Sequence, residues 1–73
     1  MRGKRKSILE TAEHEFLEKG YEGTSIDAIV KEVGGSKSTI YAYFRDKSVL
    51  FAETLANIQR ELDFSLERAA RES

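Results

Sequence analysis

The sequence predicts an all-α fold, in which three short helices form a small bundle and a long fourth helix follows. Three observations support this prediction: apolar residues recur at steps of three and four, glycines divide the chain into segments, and proline is absent. No segment of the sequence alternates polar and apolar residues as a half-buried strand does. A length of 73 residues fits one domain with a modest core.

The composition is that of a globular protein, with 40% hydrophobic and 34% charged residues. No apolar run is long enough to cross a bilayer, and no apolar segment follows the basic N-terminus as in a signal peptide. Cysteine is absent, so we expect no disulfide bonds, and a cytoplasmic location fits. His14 has no second histidine or cysteine with which to share a metal, and no catalytic constellation stands out. We therefore expect neither a cofactor nor an enzyme.

The first predicted helix covers residues 7–19 and follows a basic N-terminal arm, residues 1–6. Its apolar residues recur at helical spacing. Gly20 comes directly after a lysine and can take the left-handed conformation that ends helices. Tyr21 can then pack back against Phe16.

Two further short helices are predicted, with a glycine turn between them. Thr24 opens the second helix as its N-cap, with Asp27 at the position of the reciprocal carboxylate of a capping box. The glycines at 34–35 end this helix, and Ser36 caps a third helix that runs to about Tyr43. Two helices joined by such a turn form a helix-turn-helix, whose second helix enters the major groove of DNA.

The third helix has the composition of a recognition helix. Such a helix needs hydrogen-bond donors at its N-terminal end, where it meets bases and phosphates, and apolar residues on its other side. Ile40 and Phe44 provide the apolar side, and the hydroxyls of Tyr41 and Tyr43 can reach phosphate oxygens. The donors are Ser36, Lys37, Ser38 and Thr39.

A long fourth helix is predicted from Lys47, after Asp46 as its cap, to about Ala70, a length of about 36 Å. Lys47 lies in the first turn, where the helix dipole disfavours a cation, so a DNA phosphate is its natural partner. Only the first turns of this helix can pack on the bundle. The apolar stripe beyond them would face water in a monomer: Leu55, Ile58, Leu62, Phe64 and Leu66.

These observations divide the chain into a basic arm (1–6), a helix-turn-helix DNA-binding domain (7–50) and a linking helix (51–73). We expect the linking helix to lead to a C-terminal domain that would cover its apolar stripe. Self-association of the chain through the stripe is an alternative.

The segment from Thr24 to Leu50 resembles the DNA-binding region of the tetracycline-repressor (TetR) family. Its most specific part is Ser36 to Lys47, with a Thr-Ile-Tyr core, an aromatic pair and a downstream lysine. The resemblance extends over residues 5–55, because upstream residues are similar to that family's first helix and its exit: Ile8, Ala12, Phe16, Gly20 and Tyr21.

The resemblance implies a ligand-responsive repressor. Such a protein binds a near-palindromic operator in double-stranded DNA as a homodimer, and it releases the operator when a small-molecule effector enters a C-terminal domain. By position, the resemblance implies backbone contacts at Thr24 and Ser25 and groove-facing side chains at 37–39. It implies phosphate contacts at Tyr41, Tyr43 and Lys47, and Ser36 completes the predicted DNA-binding set.

The sequence departs from the family pattern at a few positions. Gly35 stands where the family usually has an apolar turn residue, and Val30 and Val33 replace the usual alanines. Asp27 lies where many members carry a basic or polar contact residue, so it is not assigned to DNA.

Other interpretations stay open at this point. Capping alone would explain Thr24 and Ser36, and Tyr43 could be a packing residue. The basic arm fits a disordered tail and a minor-groove contact equally well. A helical protein-interaction module that keeps the fold without using DNA is the alternative function, weakly favoured by a net charge of −1.

Overall fold

The computed structural model describes residues 3–72, so the arm residues Met1 and Arg2 lie outside the described residues. These residues form four helices and no strand: α1 (Lys4–Gly23), α2 (Ile26–Val33), α3 (Lys37–Tyr43) and α4 (Lys47–Glu72). The predicted fold class, a three-helix bundle with a long fourth helix, is confirmed.

One apolar core joins the four helices. α1 packs against both α2 and α4, and α2 packs against α3. Burying one large aliphatic or aromatic side chain contributes about 1.5 to 3 kcal/mol, so the core residues dominate the stability of this small domain. They are Ile8, Leu9, Ala12, Phe16, Ile26, Ile29, Ile40, Phe44 and Leu50, with Tyr21, Val30, Val33 and Phe51 packed at the edge.

The N-terminal arm was predicted to lie outside the helices, and its residues Lys4 to Lys6 instead form the first turn of α1. Arg5 explains why this turn is ordered. Its guanidinium donates a hydrogen bond to the Glu53 carboxylate on α4 at 3.2 Å and lies 4.9 Å from the centre of the Phe44 ring. Tertiary contacts therefore extend the helix beyond the point where its apolar pattern begins.

Gly20 interrupts α1 as predicted, with φ 78° and ψ 174°. This left-handed φ is accessible to glycine at little cost. The break redirects the chain so that the Tyr21 ring stacks on Phe16, with 6.0 Å between ring centres. The predicted contact between these two rings is confirmed.

A buried carboxylate lies near the end of α1. Glu15 is buried, and its carboxylate accepts a hydrogen bond from the Lys19 ammonium at 3.0 Å. This contact lowers the pKa of Glu15 and raises the pKa of Lys19. The Lys19 ammonium thus offsets part of the free-energy cost of burying the charged Glu15 carboxylate beside the core.

The prediction that Thr24 caps α2 with Asp27 as capping-box partner is wrong. The N-cap is Ser25, whose hydroxyl accepts from the Ala28 backbone N–H at 3.1 Å. Thr24 is buried, and its hydroxyl donates to the carbonyl oxygens of Glu15 and Gly20 at 3.0 and 2.8 Å. Carbonyl oxygens near a helix end lack intrahelical donors, and buried carbonyls require a hydrogen bond. Thr24 therefore points inward, where its hydroxyl supplies the donor.

The turn between α2 and α3 consists of Gly34, Gly35 and the N-cap Ser36. Both glycines have positive φ, 90° and 92°. At the start of α3, the Thr39 hydroxyl oxygen accepts from the Ser36 backbone N–H at 3.4 Å. The predicted end of α2 and the predicted cap of α3 are both confirmed.

Asp46 caps α4 as predicted. One carboxylate oxygen accepts from the Ser48 hydroxyl at 2.6 Å and from the Val49 backbone N–H at 3.0 Å. These bonds, first that from Ser48, hold the pKa of Asp46 below its usual value.

Only the first turns of α4 enter the core, through Leu50, Phe51 and Thr54. Further along, Leu55, Leu62, Phe64 and Leu66 are each half exposed or more, as the sequence predicted for the apolar stripe. The prediction is wrong for Ile58, which is partly buried. Within residues 3–72, no helix combines the length and the apolar character of a membrane span.

Candidate nucleic-acid interface

The first turns of α2 and α3 meet at one surface. The Lys37 ammonium, in the first turn of α3, lies 3.2 Å from the Asp27 carboxylate, in the first turn of α2. Both side chains remain more than half exposed, so this surface is open to a large ligand. The ion pair therefore marks one face of the helix-turn-helix on which side chains from both helices are available.

One side of α3 packs in the core, and the other side is exposed. Ile40 and the following Phe44 are 1% exposed, whereas Tyr41 and Tyr43 are 45% and 46% exposed. The remaining exposed polar residues of its N-terminal end are Ser36, Lys37 and Ser38. The two tyrosines are thus equally accessible, and exposure does not single out Tyr43 as the structural one.

Thr39 differs from its neighbours in α3. It is half-buried, and its hydroxyl oxygen is the acceptor that closes the turn at Ser36. The same oxygen would lie 2.9 Å from a Cβ atom placed on Gly35. The Thr39 side chain therefore stabilises the turn.

Lys47 has a partner that the sequence did not reveal. Its ammonium lies 4.3 Å from the centre of the Tyr21 ring, a favourable cation–π distance. Tyr21 is held in turn by Phe16 and Phe51, whose ring centres are 6.0 and 5.0 Å from its own. Tyr21 was singled out only as a packing residue, because no local sequence signal relates the exit of α1 to the first turn of α4.

The remaining predicted site residues lie at the start of α2. Ser25 is exposed and caps the helix. Thr24 was expected to contact the DNA backbone, but its hydroxyl is buried and donates to carbonyls of α1. The Thr24 side chain is therefore part of the core and not of the exposed surface.

Residues 3–72 contain no group of three histidine, cysteine, aspartate or glutamate side chains that could hold a metal ion. His14 lies on the exposed side of α1, where its Nε2 is 2.9 Å from the Glu18 carboxylate.

The geometry of an anchored α3 beside a glycine turn agrees with a comparison of sequences. The profile described as bacterial regulatory proteins of the tetR family matches residues 8–54, from α1 into α4. This chain belongs to the TetR family. The matched residues include every element that positions the surface described above, so the TetR assignment covers the whole helix-turn-helix.

Individual relatives agree with the TetR assignment. The chain is 33% identical over 70 residues to the uncharacterized HTH-type transcriptional regulator YhgD of Bacillus subtilis, covering 96% of this chain and 37% of that protein. It is 44% identical over 55 residues to the uncharacterized regulator YuxN of the same species, covering 75% of this chain and 19% of YuxN. The HTH-type transcriptional repressor AcnR of Corynebacterium diphtheriae is 42% identical over 48 residues, covering 66% of this chain and 25% of AcnR. The chain therefore spans little more than a third, at most, of the length of these relatives.

Proposed function

We propose that this TetR-family domain binds double-stranded DNA in a sequence-specific manner, with α3 in the major groove. One observation carries the proposal: α3 is anchored by its apolar side and presents hydrogen-bonding side chains from its other side. A major groove admits an α-helix, and its base edges are read by such side chains.

The proposed contacts follow the position of each side chain. Lys37 and Ser38, in the exposed first turn of α3, read bases, with Ser36 beside them. Tyr41 and Tyr43 donate their hydroxyls to phosphate oxygens. Ser25 contacts the backbone at the start of α2. Thr24 is left out because its hydroxyl is buried, and Thr39 contributes mainly through the turn.

Lys47 contacts a phosphate in this proposal. The Tyr21 ring contacts the Lys47 ammonium from one side only, and the ammonium has three N–H donors. A phosphate can therefore bind while the cation–π contact is kept.

We further propose that the longer protein is a ligand-responsive repressor in the cytoplasm that binds a near-palindromic operator as a homodimer. Several relatives are described as HTH-type transcriptional repressors or regulators. The half-exposed apolar residues Leu55, Leu62 and Leu66 of α4 need cover from the rest of such a protein. In this proposal, effector binding and dimer formation belong to that part.

The test is selection of binding sites by the full-length protein from a library of random DNA duplexes, followed by a salt series on the selected duplex. We expect a near-palindromic sequence whose affinity falls steeply with salt. Lys47→Ala should weaken binding to all duplexes about equally and reduce the salt slope by about 0.9 per subunit, or about 1.8 for the homodimer. Changing Lys37 or Ser38 should alter which sequences are selected.

Arg68→Ala is the matched control, because Arg68 is an exposed cation at the far end of α4. It should leave the slope and the selected sequence unchanged. Failure of the wild-type protein to bind any duplex above background at low salt would contradict the proposal, and would favour a protein-interaction module instead. An unchanged salt slope in Lys47→Ala would remove the phosphate contact from Lys47.

A further inference from the structure

Asp27, which pairs with Lys37, is the residue of this surface to which the proposed function gives no role. The carboxylate oxygen of Asp27 and the ammonium nitrogen of Lys37 are 3.2 Å apart, and each belongs to a first helical turn. The Asp27 side chain is 75% exposed, so packing in the core does not explain why an aspartate stands at this position. Capping does not explain it either, because the Ser25 hydroxyl caps α2.

The positions of the two residues in their helices favour the pairing. An aspartate in the first turn of α2 is stabilised by the helix dipole, whereas a lysine in the first turn of α3 is opposed by it. The Asp27 carboxylate compensates that unfavourable position of the Lys37 ammonium. The contact therefore holds the ammonium near the start of α3.

A carboxylate on a surface that faces DNA has two physical consequences. It repels phosphates, and it cancels the charge that Lys37 would otherwise add to binding of any DNA sequence. Binding that depends on charge alone carries no sequence information. Asp27 thus reduces non-specific affinity and leaves Lys37 to contribute through hydrogen bonds.

The pair also matches one base pair chemically. In the major groove a G·C pair presents the guanine O6 acceptor beside the cytosine N4 amino donor, which are hydrogen-bonded to each other at about 2.9 Å. Lys37 presents a donor and Asp27 an acceptor at nearly the same separation, 3.2 Å. The ammonium can donate to guanine while a second N–H stays on Asp27, and the carboxylate can accept the free cytosine N–H.

We propose that Asp27 is a specificity-determining residue that acts together with Lys37 to read a G·C pair in each half-site. This inference rests on the proposed function, because it requires α3 in the major groove. An A·T pair places its donor and acceptor in the reverse order, but a T·A pair presents the thymine O4 and the adenine amino group in the same order as G·C. Guanine N7 distinguishes G·C from T·A, because the third N–H of the ammonium can donate to N7, whereas thymine carries a methyl group at that position.

The experiment uses the full-length protein and random DNA duplexes, with site selection by the wild type, Asp27→Asn, Lys37→Gln and the double variant. We expect wild-type sites with one fixed G·C pair per half-site that is lost in Lys37→Gln. Asp27→Asn should reduce the discrimination at that pair by about ten-fold. Asp27→Asn should also bind a random-sequence duplex more tightly, with a salt slope steeper by about 0.9 per subunit, because the released Lys37 ammonium can then neutralise a phosphate.

Asp63→Asn is the matched control, because it removes one negative charge from an exposed site on α4 that is hydrogen-bonded to Gln59. It should keep the wild-type selectivity and salt slope. In the Lys37→Gln background, Asp27→Asn should produce no further loss at the G·C pair, as a coupled pair requires. Thermal unfolding of each variant checks that it is folded.

The outcomes separate the two proposals. If the wild type selects no sequence, the proposed function fails. If the wild type selects a sequence and Asp27→Asn selects the same one with the same salt slope, only the role of Asp27 is overturned.

Discussion

The ammonium of Lys47 lies 4.3 Å from the centre of the Tyr21 ring, where the first turn of α4 meets the exit of α1. A cation in this turn is opposed by the helix dipole, and the ring offers it a compensating negative face. The Tyr21 ring thus positions Lys47, which is proposed to bind a phosphate, although Tyr21 itself is not among the proposed DNA contacts.

Replacing Tyr21 tests this arrangement. Tyr21→Leu removes the aromatic face, and we expect it to weaken DNA binding about two- to five-fold for each subunit, as the loss of a partly exposed cation–π contact implies. Tyr21→Phe keeps the face and should bind like the wild type. The measurement is the dissociation constant of the full-length protein for its selected duplex, at a temperature at which all variants are folded.

Phe51→Leu separates positioning from packing, because it disturbs the same aromatic cluster from the side of α4. In a Lys47→Ala background, Tyr21→Leu should cause no further loss of affinity. An equal loss in Phe51→Leu and Tyr21→Leu would show that packing, and not the cation–π contact, matters for binding.

The glycine turn offers a comparison between two adjacent positions. Gly34 and Gly35 have nearly the same φ, 90° and 92°, so alanine is strained at both and should cost about 1 to 3 kcal/mol of unfolding free energy. At Gly35 the new Cβ would also lie 2.9 Å from the Thr39 hydroxyl oxygen, whereas at Gly34 it would meet nothing within 4 Å. We therefore expect Gly35→Ala to be the more destabilising in urea unfolding.

Thr39→Ala provides the control for this prediction, because it removes the atom that the new Cβ would approach. In that background the costs of the two alanine substitutions should become similar. A Gly35→Ala variant as stable as Gly34→Ala in the wild-type background would contradict the close approach.

The hydroxyl of Thr24 is predicted to act in the core. Thr24→Val keeps the shape of the side chain but leaves the carbonyls of Glu15 and Gly20 without this donor, which should cost about 1 to 3 kcal/mol of unfolding free energy. Thr24→Ser keeps the donor and should lose less. Ser25→Ala should cost about 1 kcal/mol, as loss of an N-cap.

DNA binding decides whether Thr24 has a second role. At a temperature at which Thr24→Val is folded, its affinity for the selected duplex should match that of the wild type. A large loss of affinity in the folded variant would restore Thr24 to the interface.

The cap of α4 predicts a pH dependence of stability. The Ser48 hydroxyl and the Val49 N–H lower the pKa of Asp46 below its ordinary value of 3.8, so the folded state binds this proton more weakly than the unfolded state. The resulting stabilisation is present above the ordinary pKa and is lost as the pH falls through the lowered pKa. Asp46→Asn cannot titrate and should lack this component.

This pH-dependent stabilisation by Asp46 can be measured by urea unfolding of the wild type and Asp46→Asn at a series of pH values. The difference between their unfolding free energies should shrink as the pH falls below 3.8. Ser48→Ala removes the strongest of the bonds and should make the change smaller. A difference that stays constant over the whole series would mean that the Asp46 bonds do not favour its charged form.

Local features of the sequence were sufficient for most of the fold. Gly20 ends the regular part of α1, Ser36 and Asp46 cap their helices, and Ile40 and Phe44 face the core, all as predicted. Each of these depends on a residue's own conformational preferences or on neighbours within one or two turns, which a sequence displays directly. The same holds for the exposure of Tyr41 and Lys37 on the outer side of α3.

Contacts between residues distant in sequence could not be predicted in this way. Thr24 and Ser25 are both good caps, and only the carbonyls at the end of α1 decide that Thr24 turns inward. Arg5 continues α1 because Glu53 lies opposite it. The partners of Lys37 and Lys47 likewise come from other helices, because charge and ring contacts form wherever packing brings two elements together. The helices and their faces thus follow from local chemistry, whereas the pairing of the proposed DNA-binding residues follows from how the helices pack.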